Sequence, residues 1–418
     1  MPIQEAVLIF AGLLMSAVLL RPLADRFNVP FAGLLVIAGY IGSEVITLFD
    51  AGFEIEPGGF RNLILYILLP VLVFEASFHI DAQKMLRQLI PITILSVPMV
   101  LLNVMVSAVL IYYGIGDPAV FPWVAALLTG ALLSATDPVE IMPLLKKLGV
   151  PERLTLLVDG EGIFNDATSI VFFSMIIFLI FNPQMEVTTA DTVVMFLAVF
   201  FGGAFVGLMN GLVFMLISRL CKGEVLMGIN TLVSAYVAYL VAESLLGVSG
   251  VMAVLVTALI MGRLIRFEFP DRRKSSFVGS LWSLFAFIAD SLVFLVAGMM
   301  LSMTLLEQGG WVAVSVGIIS VLIARAVGVY GFSPLISMLP KVEKLTLRDQ
   351  TVVYWGGLRG AVTLALALSI PVELPYGWMV QSIAFGVVLF SVFIQAPTIP
   401  FLLKSLRINH KTSKKSAG

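Results

Sequence analysis

The sequence predicts an all-α polytopic membrane protein with about 13 transmembrane helices. Three observations predict it. Of 418 residues, 60% are hydrophobic and 12% charged, and the mean hydropathy is +1.06, whereas a soluble domain carries about 25% charge. The apolar residues fall in runs of roughly 18 to 28, the length a helix needs to cross a bilayer. The loops between the runs alternate in charge.

In chain order, span one covers 4–20; it carries Glu5 and lacks the basic start of a cleaved signal peptide. Spans two to four follow at 31–49, 61–80 and 88–113. Span five, 119–145, breaks at Ser134-Ala135-Thr136-Asp137-Pro138, because proline removes a backbone donor and disfavours helix at the residue before it. Span six, 154–181, opens with Asp159-Gly160-Glu161-Gly162-Ile163-Phe164-Asn165-Asp166 and continues as an apolar run to Phe181. Spans seven to eleven lie at 192–217, 226–245, 249–265, 277–305 and 311–332. Span twelve, 350–371, carries Gly356-Gly357-Leu358-Arg359-Gly360, where glycines loosen the helix around an arginine. The last span is 378–403, and residues 404–418 form a short basic tail, expected to be a disordered surface segment. No soluble domain fits between the runs, so residues 1–418 are expected to be a single transporter domain.

Charge sets the orientation. Every basic residue except Arg61, Arg325 and Arg359 falls in the loops of one side, from Arg21 and Arg26 through Arg263, Arg266 and Arg272 to the tail. The other side holds Asp50, Glu54, Asp117, Asp191 and Glu307, among others. The positive-inside rule then places the N-terminus outside and the C-terminus in the cytoplasm. Arg325 and Arg359 remain inside spans and become functional suspects. The net charge of −1 is uninformative as a total, no nucleic-acid partner is expected, and the lone Cys221 excludes a disulfide framework and a cysteine-based metal site.

Glu75, Asp137, Glu161, Asp166 and Asp290 fall at membrane depth, where a carboxylate costs a few kcal/mol or more and generally marks a function. Glu44, Glu140, Asp159 and Glu243 lie nearer span ends or are harder to place, and Glu44, Glu140 and Asp159 read equally well as snorkelling or loop residues. Glu161 and Asn165, at i and i+4, share a helical face, with Asp166 about 100° round from Asn165. Arg325 needs a buried partner, and Glu161 is expected to supply it as a structural ion pair. Two interrupted spans running in opposite directions point to a transporter site built on inverted repeats. Half-helix ends leave partial charges at the midplane, which Asp137 suits at N-terminal ends and Arg359 at C-terminal ends.

No catalytic residue is assigned. A membrane enzyme needs a nucleophile–base pair or a metal triad at depth, and neither histidine provides one: His79 is expected to be interfacial, and His410 lies in the tail. A cation channel would use rings of like groups along a pore, whereas here a titratable acid neighbours a buried ion pair. The residues alone still leave open a channel or uniporter without proton coupling.

The set Thr136-Asp137-Pro138, Glu161-x-x-x-Asn165-Asp166, Arg325-Ala326 and Gly357-Leu358-Arg359-Gly360-Ala361, with Leu69 to Glu75 in span three, resembles the cation–proton antiporters of the NhaP type, relatives of the eukaryotic sodium–proton exchangers. The resemblance implies an NhaA-like fold with two crossed broken helices, a homodimer, and the plasma (inner) membrane of a bacterium or archaeon. It implies that Asp166 takes either a sodium ion or protons and that Asn165 holds the site in shape. Thr136 and Glu75 would join Asp166 around sodium, Asp137 would sit at the crossing, and Arg359 would compensate the second broken helix. Because Asn165 is not a second acid, the resemblance implies electroneutral one-for-one exchange. Gly162 stands where the family often has serine, which leaves lithium and potassium open beside sodium. No cofactor is implied beyond the transported ions.

Overall fold

The structure, a computed structural model, describes residues 3–27, 29–48, 61–137, 142, 145, 150, 152–185, 188–221, 223–267, 272–304, 310–337 and 345–406. Pro138, Glu140, several loop charges and the tail from residue 407 onward lie outside the described residues. Among the described residues every regular element is a helix. Eight helices are long and apolar enough to cross a bilayer, and Phe31–Val45 and Trp123–Ser134 are shorter apolar helices. The chain is a polytopic α-helical membrane protein.

The helices in order are α1 (Ile3–Phe27), α2 (Phe31–Leu48), α3 (Leu69–Phe78), α4 (Ala82–Arg87), α5 (Leu89–Ser96), α6 (Pro98–Ile115) and α7 (Trp123–Ser134). They continue with α8 (Glu152–Phe181), α9 (Thr189–Ser218), α10 (Glu224–Leu240), α11 (Gly250–Phe267), α12 (Arg272–Thr304) and α13 (Gly310–Ser337). The chain closes with α14 (Leu347–Trp355), α15 (Ala361–Leu368), α16 (Gly377–Phe390) and α17 (Ala396–Ser405). A division that the apolar pattern did not reveal separates α5 from α6 at Val97, where Pro98 starts the new helix at the position that needs no N–H donor.

Position in the bundle follows from which faces are apolar. On α9, Val194, Phe201 and Phe205 are 65%, 61% and 62% exposed; such a surface is unfavourable in water and matches lipid. The central α12 packs closely on α2. A Cβ on Gly39 would strike the Leu295 carbonyl oxygen, and one on Gly298 would strike that of Val36, so hydrogen in place of a side chain lets the backbones touch.

Both interruptions expected in spans five and twelve are present, and they touch. Helix α7 ends at Ser134, and Ala135 leaves the helical region at φ −59°, ψ 135°. Helix α14 begins at a Thr346–Asp349 capping box and ends at Gly356; α15 begins after Gly360. At the contact, the Asp137 N–H donates to the Leu358 carbonyl at 2.8 Å.

Candidate functional site

Helix α8 carries Glu161, Gly162, Asn165 and Asp166 into the bundle. Glu161 meets Arg325 of α13 as a two-pronged pair, Nη1 to Oε1 at 2.5 Å and Nη2 to Oε2 at 2.8 Å, with both side chains 2% exposed. Arg325 Nη2 also donates to the Val353 carbonyl at 3.0 Å, in the last turn of α14. There the final carbonyls of a helix lack intrahelical donors. One guanidinium thus joins α8 to the interrupted span. Gly357 is small for this reason: a Cβ there would lie 2.6 Å from Arg325 Nε.

Asn165 is fully buried and ties the helix to the first interruption. Its Nδ2 donates to Thr136 Oγ1 at 3.0 Å and to Glu161 Oε1. A carboxylate can only accept, which sets the orientation of the amide. The Asn165 Oδ1 atom is left buried and without a partner among the described residues. Asp166 faces another way. It accepts from the Thr136 N–H at 3.1 Å, and among the described residues no basic side chain pairs with it.

The crossing point places the other two charges. Arg359 is buried, and its Nε donates to the Leu133 carbonyl at 2.9 Å, near the C-terminal end of α7. Its Nη1 donates to the Gly357 carbonyl, just past the end of α14. Asp137 lies against Gly360, the residue before α15, where a Cβ would strike the Asp137 carboxylate. The arginine therefore sits where two helices expose carbonyls, and the acid where one exposes N–H groups.

A cavity opens beside these residues. It is lined by Asp137, Asp166 and Ala361 together with Glu75 of α3 and Asp290 of α12. Glu75 is 21% exposed, and its Oε1 lies 3.4 Å from His79 Nδ1. The expectation for His79 was an interfacial residue. It is 48% exposed, but it also stands directly over Glu75, because i and i+4 share a face on α3. Asp290 was legible as an acid at membrane depth, yet it belongs to no recognised motif, and only the packing of α12 places it in the cavity wall. Gly162 is buried on α8 and brings backbone alone. The polar groups assembled here are chiefly oxygens, the donor set for a hard cation.

Comparison with known proteins follows this geometry. A family model described as sodium/hydrogen exchanger, transmembrane, matches residues 13–405. The Na+/H+ antiporter ApNhaP of Aphanothece halophytica is 32% identical over 403 residues, which cover 96% of this chain and 74% of that protein. The low-affinity Na+/H+ antiporter NhaS1 of Synechocystis is 31% identical over 415 residues, covering 97% and 75%. Among solved structures, the sodium proton antiporter MjNhaP1 from Methanocaldococcus jannaschii superposes with a TM-score of 0.80 over 97% of this chain and 99% of its own, at 22% identity, and so shares the fold. With the family model matching nearly its whole length, this chain belongs to the sodium/hydrogen exchanger family.

Proposed function

We propose that this protein exchanges sodium for protons across the membrane by alternating access, with Asp166 carrying each in turn. The observation that carries this reading is the contrast on α8: Glu161 is neutralised by Arg325, whereas Asp166 lines the cavity with a backbone N–H as its hydrogen-bond donor. Loss of water favours the neutral form of a carboxylic acid, and a bound cation favours the charged form. Proton and sodium therefore compete for one group, and the site changes facing only when that group is neutralised. One free negative charge per cycle gives electroneutral, one-for-one exchange.

In this reading Thr136 supplies a further oxygen to the cation, Glu75 lies near it directly or through water, and Asp137 sits at the crossing. Asn165 keeps Thr136 in register, and Gly162 offers a backbone carbonyl or room for water. Arg359, with Asp137, offsets the partial charges of the interrupted helices. Sodium is the favoured cation, since the proteins described above are named for sodium, with lithium and potassium as the alternatives. The spans number thirteen in two inverted repeats, with the N-terminus outside and the C-terminus in the cytoplasm of a bacterial or archaeal plasma membrane. The protein works as a homodimer.

Competition has a kinetic signature. In proteoliposomes with the potential clamped at zero, raising the proton concentration on the sodium side should raise the apparent KM for sodium and leave the limiting rate unchanged. A falling limiting rate at constant KM would contradict a shared carboxylate.

A further inference from the structure

We infer that Arg266 is a positioning residue for Glu75, acting through the end of helix α3; the inference rests on the cavity reading above. In the sequence Arg266 counts only as one more cytoplasmic charge. In the structure its guanidinium is spent on backbone carbonyls. Nη1 donates to His79 O at 2.9 Å and Nη2 to Phe78 O at 3.1 Å and to Ile80 O, while Nε donates to Gly262 O of its own helix at 3.0 Å.

These carbonyls need a partner. The last carbonyls of a helix have no intrahelical donor, and they carry the negative end of the helix dipole. A planar cation with several donors in a fixed fork answers both demands, and the point-like ammonium of lysine does not. The approach is close because α11 carries glycine at the contact: a Cβ on Gly262 would strike the Phe78 carbonyl oxygen.

The clamp is linked to the cavity through one turn of helix. His79, whose carbonyl Arg266 holds, places its Nδ1 3.1 Å from the Glu75 carbonyl and 3.4 Å from Glu75 Oε1. From the other side, Ser283 of α12 hydrogen-bonds the Glu75 carboxylate. Glu75 lines the same cavity as Asp166. Releasing the end of α3 lets that carboxylate drift from the cation path, while Asp166, on α8, keeps its place. Arg266 thereby sets how well sodium is held and leaves the carrier group intact.

A double-mutant cycle in proteoliposomes tests this. Glu75→Gln is expected to raise the apparent KM for sodium about tenfold, as loss of a charged contact does. Arg266→Ala is expected to raise it by about three- to tenfold on the same grounds, with the limiting rate within about twofold of the parent. In the Glu75→Gln background, Arg266→Ala should add nothing further. Additive shifts, or an unchanged KM in Arg266→Ala beside a raised KM in Glu75→Gln, overturn the inference alone. A silent Glu75→Gln removes Glu75 from the cation path and takes this inference with it. Arg266→Lys keeps the charge without the fork and carries the same cycle if the alanine variant does not reach the membrane; a parental KM in the lysine variant also overturns the inference.

Discussion

Glu161 and Asp166 lie little more than a turn apart on α8, yet they meet opposite surroundings. Glu161 receives both prongs of a guanidinium and an amide, and neither it nor Arg325 touches solvent to any extent. Among the described residues Asp166 receives one backbone N–H, and it faces a cavity. The first acid cannot change partner without stranding Arg325 in a dry interior, which costs several kcal/mol. On the proposed reading, the second exchanges a proton for a cation with little else moving. The difference teaches that, beside a helix break, a buried charge does structural work when its neutraliser is covalently part of the fold. It is available for transport when its neutraliser has to arrive from solution.

The comparison can be broken most directly at Asp166. Asp166→Asn should lower exchange by more than about a hundredfold, since on the proposed reading Asp166 is the group that carries the proton, while melting in detergent stays close to the parent. Arg325→Ala should do the reverse in order of cause. Stranding Glu161 costs about 3–5 kcal/mol, read as lost yield and a lower melting temperature, with transport lost as a consequence. Adding Glu161→Gln should restore much of that stability; failure to do so would mean the arginine serves chiefly the Val353 carbonyl. A smaller disturbance comes from Gly357→Ala. Its methyl, 2.6 Å from Arg325 Nε, should cost about 1–3 kcal/mol of strain and lower the melting temperature without altering sodium selectivity. The smallest effect is expected from Thr136→Val. It removes the acceptor for Asn165 Nδ2 but keeps the N–H bonded to Asp166, so the apparent KM for sodium should rise only a few-fold, matching about 1 kcal/mol.

Much of this architecture was legible in the sequence because membranes impose simple rules. Hydrocarbon demands long apolar helices, so the eight long apolar helices among the described residues fall where hydropathy puts spans, and a proline or a glycine cluster marks each interruption. The Glu161–Arg325 pair could be foreseen because a buried arginine must find an acid. What could not be read is contact at a distance. That the Asp137 N–H meets the Leu358 carbonyl, or that Arg359 reaches Leu133, depends on how two interrupted segments cross. Asp290 and His79 were visible as residues but not as neighbours of the site, since helix packing, with no motif, brings α12 and α3 to the cavity. Arg266 was hidden more thoroughly, because a loop arginine counted for topology looks the same whether it meets water or four carbonyls.

One measurement bears on the proposed exchange above all others. The purified protein would be placed in liposomes with the potential clamped at zero, an inward sodium gradient imposed, and internal pH followed by a trapped dye, with Asp166→Asn measured in parallel. Exchange through Asp166 requires the interior to become alkaline as sodium enters, only when the gradient is present, and not in the variant. Sodium uptake with no change in internal pH, or alkalinisation that survives in Asp166→Asn, would contradict it.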